Sequence, residues 1–391
     1  MAATSLCFGA ELLVTNGYGL VEVMTGRMRP RHRRFHIAFE ELCREVGQDY
    51  RLRPVTWQQR LAMQGVTRWR GIRALWLDDP GTLGLVHQAL NRGSMPYMAE
   101  FDVPLAIQGY NIRTHRRAAA AARSLMERSQ LRALLVFSEW ARRSFDLHYG
   151  PEVGAKCSTI YPLAFEGAYC GSFEQRSYDF SFVSTSFRIK SGPEVVRAFC
   201  RVRRELKSNA RLCVVTRLAQ ARQLLGDLDS YKGVEWREAT LTEQAIADLL
   251  ADTRCLLHPS LSDSFGVVVL EALAAGCAIL ASDLASFPEL VGADNGWIVP
   301  VPTAAVVGDT YITEYGAAKY HELYLNTLSL HRLEEAFEER ILAFLMAADR
   351  AQAMMMASHE LYQRQFSRQA WRHRMLTTLA QGFPEMGAIL G

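Results

Sequence analysis

The chain is expected to fold as two α/β domains, each built on a doubly wound parallel sheet. Three observations predict this: its length, a regular alternation of short apolar runs with segments of helical period, and a break in that rhythm near residue 165. At 391 residues the chain exceeds what one hydrophobic core usually organises, so two domains are the natural division. Hydrophobic residues make up 49% and charged residues 22%, which matches folded soluble proteins and excludes wholesale disorder, collagen-like and coiled-coil architectures.

From Asp179 to Pro300 the beat is clearest, with strands expected at Asp179-Ser184, Arg211-Thr216, Gly233-Trp236, Arg254-His258, Cys277-Ala281 and Gly296-Val299, and helices between them. Strands buried on both faces read as near-continuous apolar runs, as CLL and CAIL do here. The front part carries a looser version of the pattern. Strands are expected there at Leu12-Thr15, Ala74-Leu77, Tyr97-Phe101, Ala133-Ser138 and Ser158-Tyr161, with a helix at Arg113-Arg128. Between the two, AFEGAYCGSFEQRSY (Ala164 to Tyr178) has no sustained period and suits a linker, which divides the chain into residues 1–165 and 166–364. Past Pro302 a less patterned stretch gives way to amphipathic helix through Phe366 and on to Leu379.

No run of eighteen uncharged apolar residues and no basic-apolar-small leader pattern is present, so neither a membrane span nor secretion is expected, and the cytoplasm is the expected compartment. The eight cysteines contain no CxxC pair, which argues against a zinc site or a disulfide framework. Charge is uneven: residues 1–165 hold 22 Lys+Arg against 14 Asp+Glu, leaving 22 against 27 for the rest. The densest basic stretch, Arg27 to His36 (RMRPRHRRFH), fits an anionic lipid surface, a phosphorylated substrate or nucleic acid, or else a solvated helix start. No aromatic platform accompanies it, so nucleic acid is set aside.

The chemistry concentrates in HPSLSDSFGVVVLEALAAGCAILASDLASFPELVGADNGWIVP, residues 258–300. A strand ends at His258-Pro259, a polar turn follows, and a helix runs to Gly276, which can terminate it in the left-handed conformation. That turn sits beyond the carboxyl end of a parallel strand, where α/β proteins bind ligands. The N–H groups of the helix start favour an anion, typically phosphate. Asp263 lies at the mouth of the turn and Glu271 about two helical turns on, so both can face one crevice and accept hydroxyls of a ribose or sugar.

This segment resembles the donor site of the retaining nucleotide-sugar glycosyltransferases known as family 4 or group 1, on DSFGVVVLE, ALAAG, CAILAS, PEL (Pro288 to Leu290) and NGWIVP. The resemblance implies the GT-B fold, two Rossmann-like domains facing across a cleft, with sugar transfer from a nucleoside diphosphate to a hydroxyl acceptor, a glycan or a lipid-linked or small molecule, with retention. In FSFVSTSFRIKSGPEVVRAF, Lys190 falls where the family's diphosphate-binding lysine belongs; Thr185 stands where an arginine is usual, and Arg188 is the candidate substitute. Ser264, Phe265, Gly266 and Val267 would offer backbone N–H groups to phosphate or sugar, Asp263 would hold sugar hydroxyls, and Glu271 the ribose. LLVFSEWARRSF (Leu134 to Phe145) and KCSTIYP (Lys156 to Pro162) resemble the elements that close the family's first domain, and QFSRQAWRHRML resembles its returning helix, so residues from about 365 to 391 are expected to pack on the first domain.

Two departures stand out. Asp263 replaces the usual glutamate and is one methylene shorter, about 1.5 Å. Where the family's first domain often offers a histidine to the donor sugar, PYMAEFDVP has Glu100 and Asp102; Glu100 is the preferred candidate, beside a purely structural role. No cofactor is expected beyond the nucleotide-sugar co-substrate, and no metal, because fixed cations and a helix start can hold the leaving charge. Asp227-Leu228-Asp229 reads as a loop rather than a cation site, and Gly17 and Gly19 lack the third glycine of a dinucleotide fingerprint, leaving them as acceptor-side candidates. His258 reads as a strand-end residue lining the site, since no GxSxG elbow accompanies it. An epimerase or hydrolase of the same fold, or a non-catalytic nucleotide-sugar-binding subunit, are the competing functions. The excess charge of the first domain predicts an anionic acceptor or peripheral contact with the inner face of an anionic membrane.

Overall fold

The computed structural model describes residues 19–24, 30–54, 58–59, 61, 63, 71–79, 82–110, 112–167, 169, 173–301, 306–307, 310–311 and 330–383. Two six-stranded parallel sheets organise the chain. The first contains β1 (Gly19–Met24), β2 (Tyr50–Pro54), β3 (Thr82–His87), β4 (Tyr97–Phe101), β5 (Leu131–Val136) and β6 (Cys157–Thr159), in the order β2-β1-β3-β4-β5-β6. The second contains β7 (Tyr178–Val183), β8 (Leu212–Thr216), β9 (Val234–Glu238), β10 (Thr253–His258), β11 (Ala278–Ser282) and β12 (Gly296–Val299), in the order β9-β8-β7-β10-β11-β12. Within its own unit that is the order 3-2-1-4-5-6 of the doubly wound nucleotide-binding sheet, with a switch point between β7 and β10.

Burial follows from composition. Every residue of LCVVT in β8 and AILAS in β11 is buried, as expected for strands covered on both faces, whereas the edge strand β9, VEWRE, is only part-buried and carries charges. All six strands expected in the second unit are present within two residues of their predicted ends. In the first unit β4 matches its prediction to the residue and β5 and β6 start one or two residues early. Three strands of this sheet, β1, β2 and β3, carry no clear signal in the sequence, while the expected strand Ala74-Leu77 forms as the short Ala74–Leu75, paired outside the sheet with Leu90–Asn91. The expected strand Leu12-Thr15 and the candidate Gly17 lie outside the described residues, and Gly19 opens β1.

Among the described residues the C-terminal region, read as amphipathic helix, forms three helices: His331–Met346, Ala348–Gln365 and Arg368–Gly382. Helix Arg368–Gly382 starts on the side chain of Ser367, which accepts from Ala370 N at 3.3 Å. It packs on the first unit, with Met375 and Leu379 in the cluster of Leu85 and Leu135, Trp371 edge-on to Phe35 and Arg372 2.6 Å from Glu45. The linker is anchored as well. Arg176, 2% exposed, donates to the carbonyls of Thr253 and Ala275, so the stretch that looked unpatterned is pinned beneath the second sheet by one guanidinium. The two units also share an apolar cluster that contains Phe137, Trp140 and Tyr161 from the first and Phe265, Leu270 and Phe287 from the second. Among the described residues no helix is long and apolar enough to cross a membrane.

Candidate functional site

The site forms where the second sheet reverses its strand order. The chain leaves β7 through Ser184 to Ser191 and β10 through Pro259 to Gly266, and Leu261 N donates to Ile189 O at 2.9 Å, which joins the two loops. That bond sets Lys190 against the polar turn. Its Nζ lies 2.6 Å from Asp263 Oδ2, 2.8 Å from Ser260 Oγ and 2.6 Å from the carbonyl of Ser262. His258, buried, places Nε2 3.3 Å from the same Asp263 oxygen. Burial alone would raise the Asp263 carboxyl, but the Lys190 ammonium and the His258 hydrogen bond outweigh it and hold the group well below the usual carboxylate range. Burial pushes His258 the other way, down, so that it stays neutral beside the lysine. An ionised aspartate, a cation and a neutral imidazole thus share the crevice.

Gly266 explains the Phe-Gly pair. It has φ +81° at the start of helix Val267–Ala274, and a Cβ there would lie 2.3 Å from the Phe287 ring. Ser264 N and Phe265 N, the expected backbone donors to a ligand, here donate to Asp263 Oδ1 at 2.9 and 3.4 Å. The shorter aspartate side chain folds back on its own turn, as Asp often does. This leaves Gly266 and Val267, at the helix start, as the backbone candidates. Arg188 pairs with Glu194 at 3.5 Å.

Glu271 lies on helix Val267–Ala274, with a side chain 16% exposed. Burial pushes its carboxyl up to about 7, against the pull of Arg34 and of the Phe165 N–H. Arg34 reaches it from the first unit: Nη2 is 3.3 Å from Glu271 Oε1, and Nη1 pairs with Glu243. The basic stretch read as an acceptor or membrane patch is therefore divided. Arg33 is exposed, but Arg34 is held inside the molecule by two carboxylates, and Arg31's side chain lies outside the described residues.

In the first unit Glu100 sits at the carboxyl end of β4, buried, and lines a small pocket with Phe35, Phe137 and Tyr161. It contacts His87 Nδ1, and the two residues are register partners on β3 and β4. A histidine thus stands beside Glu100 from the neighbouring strand TLGLVH, where it is the final residue. Asp102 turns inward, where its carboxylate accepts from Tyr110 Oη at 2.9 and 2.7 Å. Asp227 accepts from Asp229 N within a single 3-10 turn, in keeping with a loop, and among the described residues no group of three or more His, Cys, Asp or Glu is placed to hold a metal ion.

Residues 179–309 match the family model described as Glycosyl transferases group 1. The match lies within the second unit. Solved structures extend the likeness to nearly the whole chain. HepE of Anabaena, solved with UDP and glucose, is 10% identical over 93% of this chain and all of its own, with a TM-score of 0.58. A glycosyltransferase of Rickettsia africae is 12% identical over 94% of this chain and 99% of its own, with a TM-score of 0.61. WaaG, a glycosyltransferase involved in lipopolysaccharide biosynthesis, is 15% identical over 92% and 98%, with a TM-score of 0.57. At such identities these likenesses fix architecture. The fold is GT-B. No curated protein matches the chain in sequence.

Proposed function

We propose that this protein transfers a sugar from a nucleoside-diphosphate sugar to a hydroxyl acceptor with retention of anomeric configuration, without a metal ion. The observation that carries the reading is Lys190 held by Asp263 and Ser260 at the switch point, with Glu271 on the adjoining helix inside the matched domain. A fixed ammonium stabilises a leaving diphosphate as its charge grows, and preorganised donors of this kind supply much of the rate of such reactions. Asp263 is assigned to the sugar hydroxyls, Glu271 to the ribose, and Gly266 and Val267 to phosphate. Glu100, paired with His87, is assigned to the first-domain wall of the sugar site. The positive charge of the first unit suits an anionic acceptor, such as a lipid-linked phosphate, or peripheral contact with an anionic membrane. Mass spectrometry of the purified protein with UDP-, GDP- and ADP-sugars tests the reading, with UDP-glucose first because HepE was solved with it. Donor turnover without a glycosylated product would point instead to hydrolysis or epimerisation.

Two outcomes follow. Glu271→Gln is expected to weaken nucleoside-diphosphate binding by about 1.5 to 3 kcal/mol, the range for hydrogen bonds to a charged group, with the fold intact. Isothermal titration settles it, and unchanged affinity in a folded variant would remove Glu271 from the ribose. Activity is also expected to persist in excess EDTA. Complete loss, restored by Mg²⁺ or Mn²⁺, would return attention to Asp227 and Asp229.

A further inference from the structure

Arg34 belongs to helix Pro30–Glu45 of the first unit, yet its guanidinium lies among groups of the second. Nη2 faces Glu271 at 3.3 Å and Nη1 pairs with Glu243, the first residue of helix Glu243–Ala251, so one side chain bridges two helices across the interface. It is 15% exposed, and a long flexible cation is seldom so enclosed unless it is paired. The other groups facing Glu271 come from the linker and from helix Ala348–Gln365: the Phe165 N–H, which donates to it, and Tyr362, which donates to Glu166 at 2.6 Å.

We propose that Arg34 is a positioning residue for the nucleoside end of the donor: it reaches across from the first domain to aim the Glu271 carboxylate and balance its charge, so that nucleotide affinity in the second domain depends on a side chain supplied by the first. The inference rests on the assignment of Glu271 to the ribose. Three considerations support it. A carboxylate offers about four lone-pair sites, so Arg34 and the Phe165 N–H leave room for two hydroxyl donors, and the arginine need not depart when the ribose arrives. Glu243 is a like charge close to Glu271, and the guanidinium between them removes a repulsion that would otherwise favour the protonated acid. A protonated acid carries its own O–H and has lost the full negative charge that makes a carboxylate a strong acceptor. A planar guanidinium fork can serve two carboxylates at once, which a point charge does less well.

The test is titration of UDP, with GDP and ADP alongside, into wild type and variants at acidic, neutral and alkaline pH, each variant checked for its melting temperature. Glu271 is favoured as the acid by burial, so wild-type affinity should rise as pH passes upward through about 7. Arg34→Ala is expected to weaken binding by roughly tenfold at neutral pH, the loss of one charge-assisted interaction, and to move the rise to higher pH. Arg34→Lys should recover part of the loss. Glu243→Gln, which removes the like charge and keeps Arg34, should move the rise to lower pH and gives a second reading if Arg34→Ala does not fold. Affinity that stays the same or tightens in Arg34→Ala would overturn the proposal, as would a loss that is equal at every pH and not recovered by lysine. The two levels separate cleanly: failure to bind any of the three nucleotides, or indifference of binding to Glu271→Gln, sinks the donor-site reading itself. Affinity that depends on Glu271 but ignores Arg34 sinks only the cross-domain role.

Discussion

Lys190→Ala is expected to lower kcat for sugar transfer by about 10²- to 10³-fold, the range for removing one preorganised donor at a developing negative charge. The lysine is not a loose surface cation that solvent ions could replace. Its ammonium is fixed by Asp263, Ser260 and the Ser262 carbonyl, all 2.6 to 2.8 Å away, so under the proposed function it would need little reorganisation as a leaving diphosphate gained charge. Its loss also strips Asp263 of a cation that favours its ionised form, which raises that carboxyl and weakens it as a hydrogen-bond acceptor. Lys190→Arg should recover some rate while fitting the enclosed turn less well. Steady-state kinetics at saturating donor, read by mass spectrometry of the product, provides the measurement. A folded Lys190→Ala protein with wild-type kcat would end the assignment.

Local pattern carried the second domain and global arrangement carried much of the first. LCVVT and AILAS are continuous apolar runs because both faces of their strands are covered, and such runs announce themselves. The strands GLVEVM, YRLRP and TLGLVH do not: charges or glycine interrupt them, and YRLRP is an edge strand with room for arginines. The site divides the same way. Asp263, Gly266 and Glu271 lie within nine residues of one another on a loop and the helix it starts, a nearness that the sequence shows directly. Lys190 needed the resemblance, since only the pairing of two distant loops brings it to Asp263. His87 beside Glu100, Arg34 beside Glu271 and the anchoring of the linker by Arg176 had no local signature. The first joins two neighbouring strands and the other two join elements far apart in the chain, and in neither case does a sequence period name the partner. Ser367 is the opposite case: a serine before RQA is a visible helix start, and it marks where the C-terminal region passes from the second domain to the first.

The second large effect is expected at the domain interface, from Glu289. This glutamate of the PEL segment accepts from Trp140 N at 2.6 Å, Glu139 N at 2.9 Å and Tyr161 Oη at 3.0 Å. It therefore sits on the first turn of helix Glu139–Tyr149, whose own cap, Ser138, serves Ala141 N. A carboxylate from one domain completes the N-terminus of a helix in the other, where both the free N–H groups and the helix dipole favour negative charge. Burial raises the Glu289 carboxyl while the three donors pull it back. Removing it leaves backbone donors at a covered interface with nothing to accept them, each at a cost of about 1 to 3 kcal/mol. Glu289→Ala should destabilise the protein by about 3 kcal/mol, read as a lower midpoint in chemical denaturation. Glu289→Gln should cost less but still measurably, because the amide keeps one acceptor and turns a donor toward another donor. If the interface is the cause, the denaturation curve of Glu289→Ala should broaden or split as the domains lose their coupling. A single sharp transition at the wild-type midpoint would show that this contact contributes nothing to holding the two domains together.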